Sequence, residues 1–211
     1  MIKKPTVQDV AQAPNIPPRE RILAAARDLF HARGIRAVSV DDIAAAAQTN
    51  KMTLYRHFES KDLLIAEYVR ALAADAEAEW QRIEAANPSD PAAQLRCWIE
   101  ETSKTLASSG ARGCPVANAA VEIPEKGHPA RAVIEEHKTH QREHVARLCR
   151  DAGFKEPENL ADELFLLLEG ANMNVQSVGA CGPGSRFGGM ACALISARPR
   201  LHKPVSRQKS A

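Results

Sequence analysis

An all-α fold is what this sequence predicts, and three observations carry that reading. Apolar residues recur at helical spacing in one segment after another. Pro, Gly, Ser and Asn stand where helices start and stop, and no alternating apolar–polar run is long enough for a useful strand. With 211 residues, 45% of them hydrophobic and 26% charged, the chain can build a sizeable core and is not disordered wholesale. No internal repeat of helical-solenoid length is visible.

The elements follow in order. Residues 1–18 carry Pro5, Pro14, Pro17 and Pro18 without an apolar stripe and form an expected flexible arm. Ile22, Leu23, Ala26, Leu29 and Phe30 share one face of a first helix, which Gly34 closes. Ser39 caps a second, with Asp41 and Asp42 in its first turn and Val40, Ile43, Ala44 and Ala47 on its apolar side. After Gln48 and Thr49, Asn50 caps a short third helix anchored by Leu54 and Phe58. Ser60 caps a long helix from Lys61 to about Ala86, stopped by Asn87-Pro88. Pro and Gly punctuation then predicts helices near 90–108, 114–122, 129–152, 158–179 and 185–197, followed by a disordered basic tail, 198–211.

Several classes are excluded. Apolar runs such as Ile43 to Ala47 and Leu164 to Leu168 are about a quarter of the roughly 20 residues a membrane helix requires, so no membrane partner is expected. Pro5, Gln8, Asp9 and Gln12 interrupt any signal-peptide core. Cys97, Cys114, Cys149, Cys181 and Cys192 contain no Cys-x-x-Cys pair and read as reduced thiols of a cytoplasmic protein. The net charge of +2 hides an asymmetry, because residues 1–64 hold ten Lys/Arg against seven Asp/Glu.

Three short helices near the front, with a tight break before a basic third, have the layout of a helix-turn-helix. A recognition helix needs an apolar back and a solvent face of donors. Leu54 and Phe58 supply the back, and Lys51, Thr53, Tyr55, Arg56 and His57 the face. Arg56 can fork onto guanine O6 and N7, while Lys51, Thr53 and Tyr55 suit phosphates or a thymine methyl. Lys61 opens the next helix, whose free N–H groups can clamp a phosphate. Spacing and charge alone leave open a plain three-helix core with a basic outer side.

The run Arg21-Ile22-Leu23-Ala24-Ala25-Ala26, with Leu29-Phe30, Gly34, Ser39-Val40, Ile43-Ala44, Ala47, Thr53-Leu54-Tyr55-Arg56-His57-Phe58 and Ser60-Lys61-Asp62-Leu63-Leu64, resembles the TetR/AcrR family of transcriptional regulators. The resemblance implies a homodimeric repressor with a DNA-binding domain, here 19–64, and a helical effector-binding and dimerisation domain, here 65–197. It implies double-stranded operator DNA and a small-molecule effector as partners; no cofactor is expected. The positions matching its DNA contacts are Val40, Thr49, Asn50, Lys51, Met52, Thr53, Tyr55, Arg56, His57 and Lys61. Two positions depart from the family pattern. Gln48 stands where a left-handed backbone is often wanted, at a cost of about 1 kcal/mol. Met52 puts bulk where the family has Gly, and can pack on a thymine methyl.

In the back half, Leu164, Leu168, Ala171, Val175 and Val178, then Phe187, Met190, Ala191, Leu194 and Ile195, form apolar stripes. The resemblance assigns these last two helices to a dimer interface; spacing alone allows an intramolecular core. Trp98, Cys114, Asn118, Glu122, His137, Phe165, Glu169 and Asn172 are candidate effector contacts on the segments the family uses for sensing. Cys114, at a helix start where the macrodipole favours an anion, is either an oxidant or electrophile sensor or a small buried hydrophobe.

One rival comes from another class. His140-Gln141-Arg142-Glu143-His144 matches the His-x-x-Glu-His string of inverted zinc peptidases, and His137 lies near the same helix side. Glu143, one residue before His144, points about 100° away from it, and a solvated boundary helix explains the histidines equally. No catalytic or metal-binding residue is assigned, and no enzyme is expected.

Overall fold

A computed structural model describes residues 16–108 and 112–201. Most of the expected arm, and the tail beyond Leu201, lie outside the described residues. Among the described residues the chain is all-α: α1 (Pro18–Arg33), α2 (Val40–Ala46), α3 (Lys51–His57), α4 (Lys61–Ala86), α5 (Pro91–Leu106), α6 (Pro115–Glu122), α7 (Pro129–Asp151), α8 (Pro157–Val178) and α9 (Phe187–Ala197). A 3-10 turn, Pro183–Arg186, precedes α9, where the sequence suggested one continuous helix from about residue 185. None of these helices is long and apolar enough to cross a membrane.

The starts are set by the residues expected to set them. Ser39 and Asp42 form a reciprocal capping box, and Asn50 Oδ1 accepts from the Thr53 N–H at 2.8 Å. Proline opens α1, α5, α6 and α8, where its missing N–H has no intrahelical partner to lose.

The packing divides into two units. The first joins the described residues through Ala78 to Cys114–Lys138, so α6 and the start of α7 belong with the three short helices. Its division differs from the 19–64 and 65–197 partition because Val116, Ala119, Ile123, Ala130 and Ile134 complete the core around Ile22, Phe30, Ile43, Leu54 and Leu64. Phe30 meets Tyr68 edge-on at 5.3 Å, and burial pushes the Tyr68 hydroxyl up to about 12.

The second unit joins Glu79–Gly113 to the described residues from Thr139 onward. Its core is aromatic at the centre: Trp98 stacks on Trp80 at 5.6 Å and meets Phe187 edge-on at 6.1 Å. Gly184 allows the 3-10 turn to approach α8, since a Cβ there would stand 2.7 Å from the Ala171 carbonyl oxygen. The Gly182-Pro183-Gly184 segment is thus an interhelical turn.

The basic tail requires one correction. Residues 198–201 are fastened along the α7–α8 turn rather than loose from Arg198 onward. Arg198 pairs with Glu163 and, at 3.5 Å, with Glu156; the Arg200 guanidinium lies over the Phe154 ring at 4.6 Å; and the Leu201 N–H donates to the Gly153 carbonyl at 2.7 Å. Charge count alone reads such a segment as solvated because it does not register the acidic and aromatic partners across the turn.

Candidate nucleic-acid interface

The turn before α3 is held by a side chain to which the sequence reading gave no role. Arg21, on α1, donates from Nε to the Ala47 carbonyl at 3.1 Å and from its guanidinium to the carbonyls of Ile16 at 3.3 Å and Gln48 at 3.5 Å. The Ala47 and Gln48 carbonyls stand at the end of α2, where a cation also meets the negative end of the helix dipole, and that of Ile16 precedes α1. Gln48 adopts φ +51°, the left-handed backbone expected there, and Arg21 holds that residue from behind.

From this turn α3 projects as a seven-residue helix with Leu54 fully buried and Phe58 buried immediately after it. Lys51, Met52, Tyr55, Arg56 and His57 are exposed and Thr53 half-buried. Lys51 lies 3.5 Å from Asp41, an exposed pair that opens at little cost. Arg56 has no ion pair or hydrogen bond among the described residues, so its five donors remain available. Asn50 is exposed but its side-chain oxygen is committed to the cap, and Thr49 is half-buried.

Two expected DNA contacts have surroundings that the sequence did not announce. Val40 is buried, only 9% exposed, because it is the first α2 residue on the core side. Lys61 donates to the Ile35 carbonyl at 2.9 Å, and burial lowers its ammonium below the ordinary lysine value, against the charges of Asp62 and Glu122. The unfavourable placement of a cation at a helix start is therefore offset in part by a backbone carbonyl.

A second tie on this unit was missed. Glu122, at the end of α6, accepts from the Arg36 backbone N–H at 2.9 Å while its carbonyl accepts from Arg36 Nε at 2.8 Å. Gly34 lies beneath, with φ +84°, and a Cβ there would stand 3.0 Å from the Glu122 carboxylate. The partners are 86 residues apart, and no local pattern announces the pair.

Glu122 accordingly ties the end of α6 to the segment after α1. Trp98 is likewise committed to the ring stack. The remaining effector candidates fall in both units. Cys114, Asn118 and His137 are half-buried in the first, with Cys114 Sγ 3.5 Å from Lys138 Nζ. Phe165, Glu169 and Asn172 are half-buried in the second.

The dimer stripes are corrected more heavily. Leu164, Leu168, Ala171, Val175, Phe187 and Ala191 are buried within the second unit's own core, and Leu194 and Ile195 pack partly against it. Only Val178 and Met190 of that set are exposed. Each helix has a second apolar side: Leu166, Gly170 and Met173 face outward on α8, and Gly189 and Ala193 on α9. The periodicity identified a stripe correctly but could not distinguish the inward one.

The histidine string has its own structural account. His144 stacks on Trp80 at 4.0 Å, its Nε2 lies 3.3 Å from Glu84 and 2.9 Å from an Arg147 guanidinium nitrogen, whereas His140 and Glu143 face solvent. Among the described residues no group of three His, Cys, Asp or Glu side chains is arranged to hold a metal. The cysteines are free, and burial pushes the Cys149 thiol up to about 12.

Comparison with known proteins agrees with this geometry. Residues 22–68 match the model of bacterial regulatory proteins of the tetR family, and residues 91–179 match that of the LmrA/YxaF-like transcriptional regulator C-terminal domain. The HTH-type transcriptional repressor KstR2 of Rhodococcus jostii is 33% identical over 43% of this chain and 44% of its own length. The HTH-type transcriptional repressor Rv3405c of Mycobacterium tuberculosis is 50% identical over 21% of this chain and 23% of its own. The chain thus spans less than half the length of these curated relatives. A TetR-family regulator from Streptomyces coelicolor superposes with a TM-score of 0.75 at 27% identity, over 85% of this chain and 92% of that one. With a matching reader segment, a matching regulator C-terminal segment and the same fold, this chain belongs to the TetR family of DNA-binding transcriptional regulators.

Proposed function

We propose that the chain is a dimeric, effector-controlled repressor that sets its two α3 helices in successive major grooves of a roughly palindromic operator, about 34–36 Å apart. The observation that carries this reading is α3: a donor-rich face turned to solvent, on a helix locked from behind by Leu54, Phe58 and Arg21. Repression is supported by the two relatives that bear that name. Thr53, Tyr55, Arg56 and His57 meet the duplex with Lys51 and Met52, while Thr49 and Asn50 shape the turn. The cytoplasm is the place of action.

The apolar outer sides of α8 and α9, with Leu166, Met173, Val178 and Met190, join two copies. Dimerisation raises the effective concentration of the second reader once the first has bound. Cys114, Asn118 and His137 are the proposed effector contacts of the first unit and Phe165, Glu169 and Asn172 those of the second, each set taken by itself, and the effector favours a state whose α3 spacing no longer fits the operator.

A mobility-shift titration on DNA upstream of its own gene tests the reading. Binding should weaken steeply with salt; Arg56→Ala should relax sequence preference, and Lys51→Ala should weaken all sequences alike and lower the salt slope by about one. Indistinguishable variants would overturn the assignment. The approach of Lys138 to Cys114 favours a second reading, in which oxidants or electrophiles act at this thiol. Cys114→Ser should then abolish oxidant release while leaving operator binding intact.

A further inference from the structure

The outward face of α3 has an apolar centre. Successive helix side chains turn by about 100°, which puts Met52 and Arg56 roughly 140–180° from the direction of buried Leu54 and Phe58. Thr53, Tyr55 and His57 stand on the flanks, and Lys51, the first residue of the helix, is exposed on the side of Leu54. Among the described residues Met52, at 75%, is the most exposed large apolar side chain. A thioether left in water at the middle of a cationic and hydroxylic face suits a partner that is anionic along its edges and apolar at one point within. A duplex has that character where thymine presents its 5-methyl group in the major groove. Methionine, unbranched and polarisable, adapts its shape to such a methyl.

We propose that Met52 reads a thymine methyl beside the base read by Arg56. Side chains four residues apart on a helix are separated by about 5–6 Å, and stacked base pairs by about 3.4 Å, so the thymine lies within about two base pairs of the guanine that Arg56 contacts. This rests on α3 being the DNA reader and adds the chemistry of one base to it.

The test uses the full chain and operators selected from a random duplex pool. Each thymine is replaced in turn by deoxyuridine, which removes only the methyl group. The wild-type chain should lose about fourfold in affinity at one thymine of each half-site, the loss equivalent to one buried methyl. Met52→Ala should bind the thymine and uracil forms of that site equally, Met52→Leu should keep the preference, and the neighbouring guanine should be where Arg56→Ala relaxes selection. Circular dichroism of Met52→Ala should match wild type, as its exposure requires. If every uracil duplex binds the wild type as well as the parent, or if the loss persists in Met52→Ala, Met52 reads no thymine. A pool that yields no enriched duplex overturns the reader assignment itself, before any uracil is introduced.

Discussion

The two packing units are held together by different means. In the first, the seven-residue helices α2 and α3 are too short to be stable alone, and side chains tie their ends: Ser39 with Asp42, Asn50 with Thr53, Arg21 with Ala47, Lys61 with Ile35, Glu122 with Arg36. In the second, long helices close on the stacked rings of Trp80, Trp98, Phe187 and His144, with glycine at the closest backbone approach. Polar ties fix direction, because each has a preferred geometry. Ring burial supplies stability with less directional demand. The reader unit should therefore change its aim before it unfolds, and the rear unit should unfold before it changes shape.

Three substitutions sharpen or break that contrast. The largest effect is expected from Trp98→Ala, which should cost about 3–5 kcal/mol in denaturant unfolding by emptying the centre of the ring stack. A loss below about 1 kcal/mol would remove the distinction. Next, Arg21→Ala should cost about 1–2 kcal/mol yet relax operator preference more than its stability loss explains, with Arg21→Lys recovering part of the preference. Equal losses on specific and random duplexes would make Arg21 merely a stabiliser. The smallest effect concerns acid. Hydrogen bonds from Ser39 hold the Asp42 carboxyl below the ordinary aspartate value, so the capping box contributes fully above about pH 4 and is lost as pH falls through the lowered value. Ser39→Ala should lower the melting temperature slightly and make it less sensitive to acid below about pH 4; an unchanged acid profile would assign that sensitivity elsewhere.

The helix ends were legible because Pro18, Ser39, Asn50, Pro91, Pro115 and Pro157 act through local backbone chemistry that a sequence displays directly. The face of α3 was legible for the same reason, since two buried anchors in a short helix leave one outward direction. Long-range ties were not. Arg36 and Glu122 carry no mutual signal, and Lys61 found a carbonyl where a phosphate was expected. On α8 and α9, with apolar side chains on both sides, Leu164 and Leu166 are equally hydrophobic, and only the packed structure separates the buried from the exposed.

Asp41, 3.5 Å from Lys51, acts as a resident decoy for the phosphate that Lys51 is proposed to meet. Off the duplex it mutes the lysine's attraction to any polyanion, RNA included. On the duplex the exchange of partners subtracts the same amount from every sequence, which leaves the discrimination unchanged and gives the base-reading side chains a greater share of the total affinity.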